Sequence, residues 1–287
     1  MPKYNLNKII ARTGEKLEAA GIDAGAAEAE IILCDLLDFD RLHLYLHGPS
    51  IIDDDIMNRF EEIIEKRLTR YPLQYILGSA WFFGRKFCVD EKVMVPTPET
   101  ELLLDSILRA ARNLKVDPVK LLDIGVGSGV VALSAKLENP ALDVTALDIS
   151  NEALEVARLN ARRFEIEDKI TFVESDLFQE FSADQKFDII ASNPPYIADH
   201  EYEDLPPEVK ADPSLALLAG PRGLDIIQRL IKRAPQFLNR PGLLMFEIGY
   251  NQADEVAELI KEDSHYDRFD LFKDLSDIDR VVICHVD

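Results

Sequence analysis

Apolar positions recur along this chain on two periods, and the change of period divides it. Through residue 75 the spacing is helical. In "DDDIMNRFEEIIEKRLTR", Ile56, Phe60, Ile63, Ile64 and Leu68 fall on one face of a 3.6-residue repeat, and the three leading Asp suit a helix N-terminus. "NLNKIIARTGEKLEAAG" ends at Gly21, a residue suited to the position just past a helix. "AAEAEIILCDLLD" is rich in the helix formers Ala, Leu and Glu. The pattern predicts a small helical bundle over residues 1–75. Periodicity leaves a substrate-docking role and a purely stabilising one equally open.

Residues 76–97 change character. In "ILGSAWFFGRKFCVDEKVMV", glycines punctuate aromatic and β-branched residues, which predicts a β-hairpin linker. A helix follows in "PTPETELLLDSILRAARN", with Thr97 as its expected N-cap and Pro98 in its first turn. From residue 120 strand-like runs come in series: "KLLDIG", "DVTALDI", "KITFVES", "FDIIASN", "GLLMFEIG", "FDLFKD" and "RVVICHV". Helical runs separate the first five, which predicts an α/β domain over 98–287 with a parallel sheet and helices on both faces. The last two runs are too close for a crossover helix, so that pair is expected to be antiparallel.

Composition narrows the classes without choosing one. The 287 residues are 47% hydrophobic and 30% charged, as in ordinary globular proteins. No apolar run reaches the length of a membrane span, and "MPKYNLNKIIARTGEK" lacks the long apolar core of a secretory leader. Cys34, Cys88 and Cys284 form no CxxC and read as reduced thiols, so a cytoplasmic location is expected. The five histidines do not cluster; His43 and His47 stand four apart with no third ligand nearby, so no metal is expected. Net charge is −21, and residues 1–80 carry 9 basic against 14 acidic residues. Neither part is a basic module, which lowers the odds of a nucleic-acid substrate and fits a basic protein partner better. Acidity serving only solubility explains the charge equally well.

The candidate chemistry lies at the ends of the strand-like runs. "LLDIGVGSGVVAL" places Asp123, Gly125, Gly127, Ser128 and Gly129 between a strand and a helix. Such glycines permit a tight turn and close approach of a ligand. A dinucleotide fingerprint would put its third glycine at position 130, which is Val130. Asp148 ends the next strand, where a carboxylate accepts hydrogen bonds from ribose hydroxyls; it could instead cap the following helix, as could Ser150 or Asn151. Asp176 and Leu177 follow the third strand and are expected near an adenine. A nucleoside without phosphates, carrying a sulfonium, suits S-adenosylmethionine.

"SNPPYI" closes the fourth strand. Two prolines cannot continue a central strand, so the chain stops at Asn193, Pro194, Pro195 and Tyr196. The Asn193 side-chain carbonyl and the Pro194 backbone carbonyl can accept hydrogen bonds from one planar –NH2 group, and Tyr196 offers it a flat face. Asn193, Pro194 and Tyr196 are therefore the candidate catalytic residues, with Pro195 completing the acceptor site. Catalysis there would rest on positioning and electrostatic preorganisation. No Ser-His-Asp or Cys-His arrangement can be argued from order alone.

At these residues the chain resembles the peptide chain release factor N(5)-glutamine methyltransferase family (PrmC/HemK), over nearly its whole length. The matching stretches are "YPLQYILG", "FFGRKFCVDEKVMVPTPETE", "LLDIGVGSG", "ALDIS", "SNPPYI", "LALLAGPRGLDII", "FEIGYNQ" and "DLSDIDRVVI". The resemblance implies a Rossmann-like, seven-stranded S-adenosylmethionine-dependent methyltransferase sheet whose last strand is antiparallel. It implies methyl transfer to the glutamine side chain of the release-factor GGQ motif; with the acidic balance above, no direct nucleic-acid contact is expected, and a monomer is expected. Gly125, Val126, Gly127, Ser128, Gly129, Asp148, Asp176, Leu177 and Asn193 would hold the cofactor; Asn193, Pro194, Pro195 and Tyr196 would bind the glutamine amide. Thr97 stands where the family usually has Arg. Three alternatives stay open: a ribosomal-protein glutamine acceptor, an exocyclic amino group of a nucleic acid, and a silent scaffold of the same fold.

Overall fold

The computed structural model describes residues 4–287. Residues 1–3, which begin both the stretch read for a leader and the helical segment, lie outside the described residues. The chain forms two compact units: one runs through Gly78 and takes in Pro206–Ala211, the other holds Ser79–Leu205 and Asp212–Asp287.

The first unit contains α1 (Leu6–Ala19), α2 (Gly25–Leu37), α3 (Arg41–Ile51), α4 (Asp54–Arg67) and α5 (Leu73–Leu77). Asn5, Asp40 and Asp53 cap α1, α3 and α4, each side chain accepting a backbone N–H three residues on. Gly21 follows α1 with φ +81°, the left-handed conformation its sequence position called for. Of the apolar face of α4, Phe60 and Ile64 are fully packed with Leu17, Ile32, Leu33 and Leu44, while Ile56, Ile63 and Leu68 sit at the edge of that core. Arg67 is also buried there. It pairs with Glu28 at 2.6 Å and with Glu208, from the short turn Pro207–Lys210, at 2.9 Å.

The second unit opens with the expected hairpin, β1 (Ser79–Phe82) against β2 (Arg85–Cys88). Its two-residue turn, Phe83–Gly84, has positive φ at both positions, which matches the twist of the strands. Glu101 accepts the Phe83 N–H at 2.7 Å. Then follow α6 (Thr100–Asn113), β3 (Lys120–Ile124), α7 (Val130–Glu138), β4 (Asp143–Asp148), α8 (Asn151–Arg163), β5 (Ile170–Glu174), β6 (Phe187–Ser192), α9 (Asp225–Arg233), β7 (Leu238–Glu247), α10 (Ala253–Glu262), β8 (Arg268–Lys273) and β9 (Asp279–Val286). Thr97 does not cap α6: that helix starts at Thr100 with Glu99 in the cap position. Pro96 and Pro98 hold the chain in a turn first, and the Thr100 N–H bonds the Thr97 carbonyl.

The seven strands form one sheet in the order β5-β4-β3-β6-β7-β9-β8. β9 is inserted between β7 and β8 and runs antiparallel to both, while the remaining pairs are parallel. Alternation along each strand sends Leu121, Ala146, Ile189 and Met245 to the core under α6, α7 and α8. Leu122, Leu147, Ile190 and Leu244 go to the opposite core, under α9 and α10. All six residues of β6 are buried, as for a strand covered on both faces. Strand order reverses at β3 and β6, whose carboxyl ends meet with Ile124 opposite Ser192. That is the place where open α/β sheets bind ligands.

Candidate active site

Five strand ends build the site. After β3 the chain turns sharply: Gly125, Gly127 and Gly129 have φ of +77°, +52° and +88°. Only residues without a Cβ adopt these conformations at no steric cost. A Cβ on Gly129 would also lie 2.9 Å from Leu133. The N–H groups of Gly125 and Val126 both donate to the Leu147 carbonyl of β4, and buried Asp123 accepts the Ala132 N–H at 2.9 Å. These bonds pin the loop against the start of α7 and leave it open to the cavity.

Asp148 ends β4 beside this loop, nearly buried, accepting the Gly127 N–H at 3.0 Å and the Ser150 N–H at 2.9 Å. Burial pushes its carboxyl above the ordinary aspartate range, against the pull of these N–H bonds. Ser150, not Asp148, caps α8 by accepting the Ala153 N–H, so one candidate for the cap is removed and the aspartate faces the cavity. Past β5, Leu177 takes a positive φ of 53° and is buried. Asp176 lines the same cavity, yet its carboxylate is committed to Arg229, at 2.7 and 2.8 Å.

Asn193, Pro194 and Pro195 follow β6 into this cavity. The cavity measures about 320 Å³ and brings together Gly125 to Ser128, Asp148, Asp176, Leu177 and the three residues after β6. Gly129 and Tyr196 stand outside its lining, Gly129 as the residue preceding α7. Tyr196 packs against the core under α9 and α10 and directs its hydroxyl to Glu247. The sequence reading also missed residues here. Val93, Met94 and Pro96 line the cavity from the segment before α6, and Leu215 and Ile226 from beyond the Asn-Pro-Pro-Tyr loop. They are apolar residues inside the quoted stretches "FFGRKFCVDEKVMVPTPETE" and "LALLAGPRGLDII", whose place at the cavity only the fold shows.

Thr100, which itself lines the cavity, and Glu247 beyond it hold the loop in place. Asn193 donates its side-chain N–H to Thr100 Oγ1 at 3.0 Å, and Thr100 donates its hydroxyl hydrogen to Glu247 Oε2 at 2.8 Å. Tyr196 donates to Glu247 Oε1 at 3.3 Å. Glu247 is 1% exposed. Burial pushes it up to about 7, opposed by the hydrogen bond from Thr100, the charge of Arg280 and the hydrogen bond from Tyr196. Burial likewise raises Asp123 to about 7. The sequence did carry one signal for Glu247: a carboxylate closing the apolar run "GLLMFE", a place where a charge is costly unless it has partners.

The loop backbone is fixed in turn. Gln252 donates to the carbonyls of Tyr196 and Gly223, both at 3.0 Å, and accepts the Gly249 N–H at 2.9 Å. Ile197 and Asp199 exchange backbone bonds with Leu217, Ala219 and Gly220. Gly223 has φ +69°, and a Cβ there would stand 2.2 Å from the Tyr196 carbonyl oxygen. The stretches "LALLAGPRGLDII" and "FEIGYNQ" therefore meet on the carbonyl side of the Asn-Pro-Pro-Tyr loop.

The donor set fits S-adenosylmethionine. A glycine turn with no Lys of its own, a carboxylate at the end of β4, and an apolar wall at Leu177 and Ile226 suit a nucleoside with a cationic centre; Lys92 and Arg229 also line the cavity, Arg229 engaged by Asp176. Among the described residues no group of His, Cys, Asp and Glu could hold a metal ion, and no helix is long and apolar enough to cross a membrane.

Comparison with known proteins gives the family. The family model described as the PrmC N-terminal domain matches residues 8–78, and the methyltransferase small domain matches residues 98–206. A release factor glutamine methyltransferase of Koribacter versatilis is 38% identical over 269 residues, 93% of each chain. One of Bacillus cereus is 35% identical over 274 residues, covering 94% of this chain and 95% of its own. Among solved structures, the hMettl16 catalytic domain in complex with an RNA hairpin superposes with a TM-score of 0.58 at 16% identity, over 81% of this chain and 80% of that one. At that identity the likeness speaks for the fold alone.

Proposed function

This chain belongs to the release factor glutamine methyltransferase family, and we propose that its site transfers a methyl group from S-adenosylmethionine to the side-chain amide nitrogen of the GGQ glutamine of peptide chain release factors. The observation that carries the reading is that Asn193 and Pro194 line the same cavity as the glycine loop and Asp148, at one sheet edge. When bound, the cofactor supplies an electrophilic methyl on a sulfonium. The turn from Gly125 to Gly129 would hold it by backbone approach, Asp148 by its ribose hydroxyls, and Leu177 by contact with its base. Asp176 would take part through its backbone, since its side chain is engaged by Arg229.

An amide nitrogen is a poor nucleophile because its lone pair is delocalised. Asn193 Oδ1 and the Pro194 carbonyl oxygen would accept its two N–H hydrogens, aim the nitrogen and favour pyramidal geometry as it attacks. Two prolines restrict the backbone that carries these acceptors, so little reorganisation remains during reaction. Tyr196 would serve by holding the loop's shape through Glu247, since its ring lies outside the cavity lining. The release factor is the protein partner of this reading, and the work of the chain is positioning. As the N–C bond forms and the S–C bond breaks, leaving S-adenosylhomocysteine, the nitrogen would give its surplus proton to water, so no strong base is needed among the residues touching the acceptor.

The test uses purified protein, methyl-labelled S-adenosylmethionine and a release factor in two forms, one with the GGQ glutamine and one with alanine there. Label is expected in the first form only. Label in neither, with cofactor binding intact by calorimetry, would overturn the proposed acceptor and turn attention to ribosomal proteins and nucleic acids.

A further inference from the structure

We propose that Thr100 and Glu247 are positioning residues that fix which way the Asn193 amide points, and so make the site selective for an acceptor that brings N–H groups. The argument follows the hydrogens. Above about pH 7, where turnover and exchange are to be measured, Glu247 is ionised and can only accept. Thr100 Oγ1 therefore spends its single hydrogen on Glu247 Oε2, at 2.8 Å. What Thr100 has left is lone pairs, and the atom of Asn193 facing it at 3.0 Å must be the donor, Nδ2. Asn193 Oδ1 is then left for the cavity that Asn193 lines.

The reversed amide would set Oδ1 against an oxygen with no hydrogen to give, and would leave a half-buried carbonyl facing a lone pair, which disfavours it. Glu247 is held in its own place by a second donor, the Tyr196 hydroxyl, so the acceptor loop and its orienting carboxylate are tied together twice. Thr97 adds a contact of 3.3 Å to Thr100 Oγ1. The buried carboxylate has no direct line to the acceptor; it acts through Thr100. Thr100 and Glu247 lie 147 residues apart, and neither carries a role in the motif that holds Asn193.

The identity of the acceptor rests on the proposed function; the orientation of Asn193 does not. Thr100→Val keeps the shape and removes the hydroxyl, Thr100→Ser keeps the hydroxyl, and Glu247→Gln keeps an oxygen to accept from Thr100. Thr100→Val is expected to lose more than about tenfold in kcat, with the Kd for S-adenosylmethionine within about threefold of the unaltered protein. Thr100→Ser and Glu247→Gln are expected to stay within about threefold in kcat. Near-normal turnover in Thr100→Val would overturn the inference, as would equal losses in Thr100→Ser and Thr100→Val.

A second readout needs no turnover. In protein labelled with 15N-asparagine, the Asn193 side-chain signal is assigned by its disappearance in Asn193→Ala. One of its two N–H protons is expected to exchange with solvent at least about tenfold more slowly than in Thr100→Val. Equal exchange in both proteins overturns the orientation. If no release factor accepts label from the unaltered enzyme, the proposed function fails while the exchange measurement still judges this inference.

Discussion

Asn193 and an aspartate differ by one group, and that group is the one facing Thr100. An aspartate would keep an acceptor for the cavity. It would also put a second oxygen against Thr100 Oγ1, whose hydrogen is already given to Glu247. Asn193→Asp is therefore expected to be as impaired as Asn193→Ala, each down by more than about tenfold in kcat with the fold intact by circular dichroism. Activity in the aspartate variant tenfold above the alanine variant would count against the site as drawn. Glu247 carries a pH signature of its own. Its folded pKa of about 7 lies above the ordinary value of 4.5, so the folded protein holds the proton more tightly than the unfolded chain does. Stability contributed by this group is complete below about 4.5 and is lost as pH rises through about 7. The charges bearing on it are those of Arg280 and Glu99, with Thr100 and Tyr196 as its hydrogen-bond donors. Glu247→Gln is expected to gain stability relative to the unaltered protein across that window, approaching about 3 kcal/mol, and to level off above it. Denaturant titrations at pH 5 and pH 8 check this, and a constant difference would contradict it. The first layer of the site is legible in the sequence because Asn193, Asp148 and the glycines each stand in a local motif at a strand end. Thr100 looks there like part of a helix start, and Glu247 like the end of a strand, because the contact that gives them a role joins distant parts of the chain.

At the scale of elements, the Asn-Pro-Pro-Tyr loop has no regular structure of its own and borrows its shape from three neighbours. Gln252, just before α10, bonds the carbonyls of Tyr196 and Gly223. The stretch from Leu217 to Gly220 bonds Ile197 and Asp199, and Gly223 lets two backbones touch. In Gly223→Ala the new Cβ would meet the Tyr196 oxygen at 2.2 Å in a backbone conformation that alanine resists. The loop must shift, and a loss of at least about tenfold in kcat is expected with the Trp81 fluorescence and far-UV spectrum preserved. Gln252→Leu removes one buried donor group from two carbonyls and is expected to cost about 2–4 kcal/mol, read as a lowered midpoint in urea. A stability change under 1 kcal/mol would show that water replaces the amide. The seven strands were all readable from short apolar runs, and the antiparallel last strand from the short connection before it. The place of β9 between β7 and β8 was not. That order depends on which edge the hairpin adds to, and Val281 to Val286 offer the same alternation either way; the buried Val282 and Cys284 find their partners only across the sheet. The turn at Thr97 was misread for a related reason. A capping residue followed by proline favours a helix start locally, but here two prolines and the Thr97–Thr100 contact delay it by two residues.

At the scale of the molecule, charge and connectivity act over longer ranges than any motif. A net charge of −21 favours encounter with a basic partner, and this attraction is screened as salt rises. The KM for the release factor is therefore expected to rise at least about threefold between 50 and 500 mM salt while the Kd for S-adenosylmethionine changes less. A salt-independent KM would make the acidity a matter of solubility alone. Connectivity appears in the helical unit, which is completed by Pro206–Ala211, a segment that follows the Asn-Pro-Pro-Tyr loop in the chain. Glu208 of that segment joins Glu28 around Arg67 and also receives Arg70 at 2.7 Å. The two arginines hold the Glu208 carboxyl down to about 2, against the effect of burial. No linear boundary in the sequence announces this, because six residues with ordinary composition lie far from the unit they complete. Arg67 is 4% exposed. Replacing it by methionine would leave Glu28 without its cation while Glu208 keeps Arg70, and breaking a buried pair from one side costs at most about 3–5 kcal/mol. Trp81 is the only tryptophan and belongs to the sheet unit, so its fluorescence follows that unit while far-UV circular dichroism follows both. In Arg67→Met the dichroism midpoint in urea is expected to fall, with Trp81 fluorescence shifting less than half as far. Coincident shifts of the two probes would mean instead that the units unfold as one, and that the segment carrying Glu208 transmits the damage from helices to sheet.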